Sequence, residues 1–185
     1  MLKVTPLTAG DRPKIKPILL SLEDFWMQSN KGIEWYWEGI LPKGGSSLLV
    51  AKPKAGKSTF LRNLMAKAVM GKSFLNRYTT QGIAVYFALE ENAAVVKRHF
   101  ELLGLTGKEA LYLKIGSIID NPVSAFKKAL AQLPEAPRLI AIDTLQKFAH
   151  FKDSNDYSEV ANIIEPFTDH AREIGAHVLF THHTG

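Results

Sequence analysis

Ala51-Lys52-Pro53-Lys54-Ala55-Gly56-Lys57-Ser58-Thr59 follows the apolar run Leu48-Leu49-Val50 and precedes Phe60, Leu61, Leu64, Met65, Ala68 and Val69, which recur at helical spacing. A buried strand, a glycine-containing loop and an amphipathic helix in that order form a phosphate-binding loop. The pattern Gly-x-x-x-x-Gly-Lys-Ser/Thr is met at seven of its eight places, the first being Ala51 rather than glycine. Alanine fits there if its φ is negative. Gly56 lets backbone N–H groups close around phosphate oxygens, Lys57 reaches the β and γ phosphates, and the Ser58 hydroxyl is a ligand for Mg²⁺. Lys52, Pro53, Lys54, Ala55, Gly56, Lys57, Ser58 and Thr59 are therefore the expected nucleotide contacts, and a helix opening at Lys57 adds its positive N-terminal end.

Downstream, short apolar runs alternate with helical patterns. Ile83–Leu89 reads as a buried strand ending in Glu90-Glu91, and Asn92–Leu103 as a helix with Ala93, Val96, Phe100 and Leu103 on one face, closed by Gly104. Leu111–Ile115 is a strand candidate, Val123–Leu133 a helix opened by Pro122, and Leu139–Asp143 a strand running into an acid. Ser154 can cap a helix over about 155–174 bent at Pro166, and His177–His183 is the last strand. Strands alternating with helices imply an α/β fold, with a mostly parallel sheet, helices on both faces and the ligand beyond the strands' carboxyl ends. Upstream, Pro6, Pro13 and Pro17 mark residues 1–20 as an extended arm. Ser21-Leu22-Glu23-Asp24 has the form of a helix start, and Trp35-Tyr36-Trp37 leads through a Pro/Gly turn into the loop strand, its aromatics expected to pack at the sheet edge. This divides the chain into a 1–34 arm with a short helix and a 35–185 core.

A chain of 185 residues is about one domain long and buries roughly 70% of its unfolded surface. The absence of cysteine rules out disulfides and thiolate metal sites. No apolar run is long enough to span a membrane and no signal-peptide core opens the chain, so the expected location is cytoplasmic. The net charge of +5 is uneven: residues 1–80 carry 13 Lys/Arg against 5 Asp/Glu, and residues 81–185 carry 10 against 13. A basic half suits polyanions, whether nucleotide phosphates or a nucleic-acid backbone; for Lys3, Arg12, Lys14 and Lys16 a solvated basic face is an equal reading.

Three further groups fall at strand ends. Asp143 is placed to hold Mg²⁺ through water. Glu90 is placed to orient and deprotonate the attacking water, while Glu91 suits the first turn of the following helix. His182 and His183 end the last strand, where a donor senses the γ phosphate or is simply solvated. Zinc is excluded there, because adjacent strand residues point to opposite faces and no third ligand is evident. A GTPase would carry Asp-x-x-Gly where Asp143-Thr144-Leu145-Gln146 stands, and an ABC-type ATPase would carry Glu in place of Thr144.

Together Lys54–Thr59, Ala88-Leu89-Glu90-Glu91, Leu139–Thr144 and Thr181–Gly185 make the chain resemble the RecA-like ATPases over residues 35–185, closest to the branch of the plasmid replicative helicases, with DnaB and KaiC as relatives. The resemblance implies ATP as substrate with Mg²⁺, bound between subunits of a ring, often a hexamer, with an arginine donated by the neighbour. Lys57 and Ser58 carry over as phosphate and Mg²⁺ contacts, Asp143 as the Mg²⁺ acid, Glu90 as base, and His182 or His183 as sensor. Relatives continue past the His-His-Thr-Gly segment, so the core is expected to be truncated, with the loop strand left unpaired on one side. Two functions fit: an ATP-driven motor on DNA or another nucleic acid, in replication or a mobile element, and a regulatory ATPase that switches protein partners.

Overall fold

The computed structural model describes residues 19–28, 32–118, 121–149 and 157–183. The proline-containing arm, Ser154, Thr184 and Gly185 lie outside the described residues. Two compact units divide the chain at Gly32/Ile33. The first contains helix α1 (Leu22–Gln28). Its start is as the sequence indicates: the Ser21 hydroxyl accepts from the Asp24 N–H at 3.0 Å and donates to the Asp24 carboxylate at 2.6 Å.

The second unit opens with a small antiparallel pair, β1 (Trp35–Trp37) and β2 (Leu41–Pro42). There follow β3 (Gly45–Ala51), α2 (Lys57–Met70), β4 (Ala84–Ala88), α3 (Ala93–Leu102), β5 (Leu111–Ile115), α4 (Pro122–Leu130), β6 (Leu139–Asp143), α5 (Leu145–Ala149), α6 (Tyr157–Ile174) and β7 (His177–His183). The five long strands form one parallel sheet in the order β3-β7-β6-β4-β5. Every connection between them crosses over through a helix, as parallel pairing requires.

Side chains alternate across the sheet and divide the interior in two. Ala84, Tyr86, Ala88, Leu139, Ala141 and Leu179 meet α2, α3 and the aromatic pair Tyr36 and Trp37. Val85, Phe87, Ile140, Ile142, Val178 and Phe180 meet α4, α5 and α6, where Phe126, Phe148 and Phe167 interlock with ring centroids 5.2–6.3 Å apart. Helices thus cover both faces. At the β3 edge, Leu48 and Val50 remain exposed.

Three local details differ from the sequence reading. Helix α4 stops at Leu130 rather than Leu133, because Pro134 disfavours helical backbone at the residue before it. Five residues after Asp143 form α5, with Thr144 accepting from the Lys147 N–H at 3.5 Å; so short a helix leaves no periodicity to find. Trp35-Tyr36-Trp37 and the turn after it pair as a hairpin, and Trp37 packs on Phe60 and Phe74 with centroids 5.8 and 5.3 Å away.

His177 fastens the start of β7. Its Nδ1–H donates to the Pro42 carbonyl at 2.6 Å, leaving Nε2 to accept from the Ser47 hydroxyl at 2.9 Å. A neutral ring satisfies both contacts, and burial pushes the His177 pKa below the ordinary histidine range. The unfolded chain therefore binds a proton that the folded ring refuses. This contribution to stability is present above pH 6.5 and is lost as the pH falls below it, by at most about 1.4 kcal/mol per pH unit for one proton. Denaturant unfolding at pH 7.5 and 5.5 is expected to show a smaller loss for His177→Gln than for the native chain; equal losses would mean another group carries the effect.

Candidate nucleotide site

Because the sheet is parallel, the residues after β3, β4, β6 and β7 arrive at one end of it. The loop after β3 supplies Gly56 at φ +90° as the N-cap of α2, with no side chain capping the helix. The first-turn N–H groups are thus left to an anion. A Cβ added to Gly56 would meet nothing within 4 Å, so the loop is open on that side. Lys54 also takes a left-handed turn, at φ 62°, whereas Ala51 is not among the positive-φ residues and pairs with His183 as a regular strand residue. The missing first glycine therefore leaves the loop geometry intact.

Lys57 is only 6% exposed. Its ammonium donates to the carbonyls of Ala51 and Lys52 at 2.7 and 2.9 Å and to His183 Nδ1 at 2.9 Å. Since an ammonium can only donate, Nδ1 is the acceptor and the ring proton lies on Nε2, 3.9 Å from Glu90 Oε2. Glu90 Oε1 accepts from the Thr144 hydroxyl at 3.0 Å, and its side chain is 39% exposed and open to water. Loop lysine, strand-end histidine and strand-end glutamate thus form one polar chain.

Asp143 is 5% exposed. One carboxylate oxygen accepts from Tyr86 at 2.8 Å and the other from Thr181 at 2.6 Å. Burial, and next the Asp143 charge, push the Tyr86 phenol far above its ordinary pKa, so it remains a donor. Two hydroxyls therefore fix the carboxylate, and each oxygen keeps a lone pair for a further contact. Ser58 lies half-buried in the first turn of α2 with the exposed Thr59 beside it, while Lys52, Pro53, Lys54 and Ala55 line the exposed loop.

The histidine pair separates. His183 shares the α2 side of the sheet with Leu179 and Thr181, while His182 is buried on the face of Val178 and Phe180. His183 meets the loop through Lys57. Glu91 needs a correction: it does not open α3, where Asn92 is the cap and accepts from the Val95 N–H at 3.0 Å. Glu91 turns instead into α2 and pairs with Arg62. Tyr86, Thr181, Thr144 and Arg62 were missed. Strand parity relative to Asp143 was the available signal for Tyr86 and Thr181, and a cation four residues past Ser58, on the helix's packed side, was the signal for Arg62.

No group of three or more His, Asp or Glu side chains able to hold a metal by itself occurs among the described residues, and none of their helices is long and apolar enough to cross a membrane. No curated protein matches the chain. The family model AAA_25, described as an AAA domain, matches residues 11–185. With a five-stranded parallel sheet and a phosphate-binding loop at its carboxyl end, the chain belongs to this family of RecA-like P-loop ATPases.

Proposed function

We propose that the chain binds Mg²⁺·ATP on the loop 52–59 and hydrolyses it with Glu90 as general base, as the motor domain of an enzyme acting on nucleic acid. What carries the hydrolytic reading is that Glu90, exposed to water, is linked through His183 to Lys57, the cation of the phosphate loop. The Ser58 hydroxyl and the Asp143 carboxylate are hard oxygen donors of the kind Mg²⁺ takes, and the open side of Gly56 leaves room for phosphate. Ser58 and Asp143 would hold the Mg²⁺ ion, which would offset the charge of the phosphates.

In this reading the α2 N-terminus and Lys57 bind the phosphates, and Asp143, fixed by Tyr86 and Thr181, orients the water or ion it meets. Glu90 accepts a proton from water as its oxygen attacks the γ phosphorus, and the bond to the β-phosphate oxygen breaks to leave ADP. Thr144 keeps the Glu90 carboxylate turned toward the site. His183 reports phosphate occupancy because it shares Lys57 with the loop. A neighbouring copy in a ring supplies an arginine to the transferring phosphoryl group, and the basic residues of 1–80 favour a nucleic-acid partner.

Replacement of the loop cation by Lys57→Ala is expected to weaken ATP binding about 100-fold, while Lys52→Ala and Lys54→Ala change it little. Titration calorimetry giving unaltered affinity for Lys57→Ala would remove the loop assignment. Glu90→Gln keeps the volume but cannot take the proton, so kcat is expected to fall by about 10²- to 10⁴-fold at unchanged affinity; a steady-state assay in which it turns over normally rejects the base. For the partner, single-stranded DNA is expected to stimulate turnover, with binding that weakens steeply as salt rises. Turnover indifferent to DNA and RNA at low salt would favour the partner-switching ATPase instead.

A further inference from the structure

One charged side chain lies deeper than either buried charge of the nucleotide site, Lys57 or Asp143. Arg62, on α2 one turn beyond Ser58, is 3% exposed. Its guanidinium Nη1 donates to the Glu91 carboxylate, and its Nε has no hydrogen-bond partner among the described residues. The neighbouring buried positions of the helix are Leu61, Leu64, Met65, Ala66, Ala68 and Val69, so packing alone calls for another apolar residue. The pKa of His99 on α3 is pushed down first by burial and then by the Arg62 charge, against a smaller opposing pull from Glu91.

We propose that Arg62 is a positioning residue for hydrolysis: by holding Glu91 against α2, it fixes the β4–α3 loop so that the adjacent Glu90 faces the attacking water. This rests on the reading of Glu90 as base. The geometry follows from chain connectivity. Consecutive Cα atoms are about 3.8 Å apart, so anchoring Glu91 confines the backbone of Glu90. Glu91 turns into α2, and Glu90 turns toward Thr144 and His183. Glu90's own tether among the described residues is a single hydrogen bond, from Thr144 to a carboxylate that is partly open to water. The Arg62 pair makes the same helix that begins at Lys57 and Ser58 also set the register of the base. Phosphate and base are thus held by one rigid element.

The test compares Glu90→Gln, Arg62→Leu, Arg62→Lys, Glu91→Gln and the double variant Arg62→Leu/Glu91→Leu by kcat, KM, ATPγS affinity and thermal midpoint. Arg62→Leu is expected to lower kcat about 10- to 100-fold with ATPγS affinity and KM within about threefold. Arg62→Lys and Glu91→Gln, which keep part of the contact, should fall between it and the native chain. The double variant relieves the stranded charge, so it should regain thermal stability without regaining kcat; a purely structural role would restore both together. Native kcat in a folded Arg62→Leu protein, or recovery of kcat in the double variant, overturns the proposal while leaving Glu90 as base if Glu90→Gln is inactive. If Glu90→Gln turns over normally, the base reading fails and the positioning role fails with it. Should Arg62→Leu not fold, native kcat in both Arg62→Lys and Glu91→Gln is the overturning result.

Discussion

Parallel pairing is the constraint on which the site depends. In a parallel sheet every strand ends at the same side, and each return requires a crossover. The ends of β3, β4, β6 and β7 therefore bring Lys57, Glu90, Asp143 and His183 together, although they lie up to 126 residues apart in the chain. The period of two along each strand does the finer sorting. It places Tyr86, Thr181 and Asp143 on the α2 side of the sheet, where two hydroxyls meet one carboxylate, and it turns His182 away from His183. A one-residue slip in β7 would exchange the two histidines and remove Thr181 from Asp143.

The polar groups at this end are unusually buried for charged residues. Moving an ion out of water costs several kcal/mol unless partners replace the solvent. Lys57 is compensated by two carbonyls and an imidazole, and Asp143 by two hydroxyls. Arg62 is compensated only in part, since Glu91 takes one nitrogen and Nε is left over. Such arrangements contribute little net stability compared with apolar packing. Their effect is to fix directions, because a buried charge loses most when its partner moves. Stability comes instead from the two apolar layers, above all the interlocked Phe126, Phe148 and Phe167 of α4, α5 and α6.

Much of this was legible in the sequence, and the reasons are specific. The strands β4, β6 and β7 are short apolar runs bounded by charged or glycine residues, and the loop before α2 requires a glycine with positive φ that only a fixed pattern supplies. Asn92 shows the limit of local reading. Either Glu91 or Asn92 could serve the first turn of α3, and the choice falls to Arg62, which lies 29 positions from Glu91 and draws it away. Pairings such as Thr181 with Asp143 or His177 with Pro42 depend on strand order, which no local pattern encodes. The burial of His182 likewise follows from which helices cover the second face.

Lys57 links the resting contacts of the loop to its proposed work. An ammonium has three protons, and all three are used, on Ala51, Lys52 and His183. A phosphate oxygen reaching Lys57 must therefore displace one acceptor. The two carbonyls belong to the strand end and the loop backbone and move only with them, whereas the imidazole turns about its own side-chain bonds. His183 is thus the acceptor released at least cost. Its free Nδ1 then needs another donor, while Nε2–H already points toward Glu90. In the proposed function the same contact that recognises phosphate alters the environment of the base, and β7, paired with both β3 and β6, carries that change into the middle of the sheet.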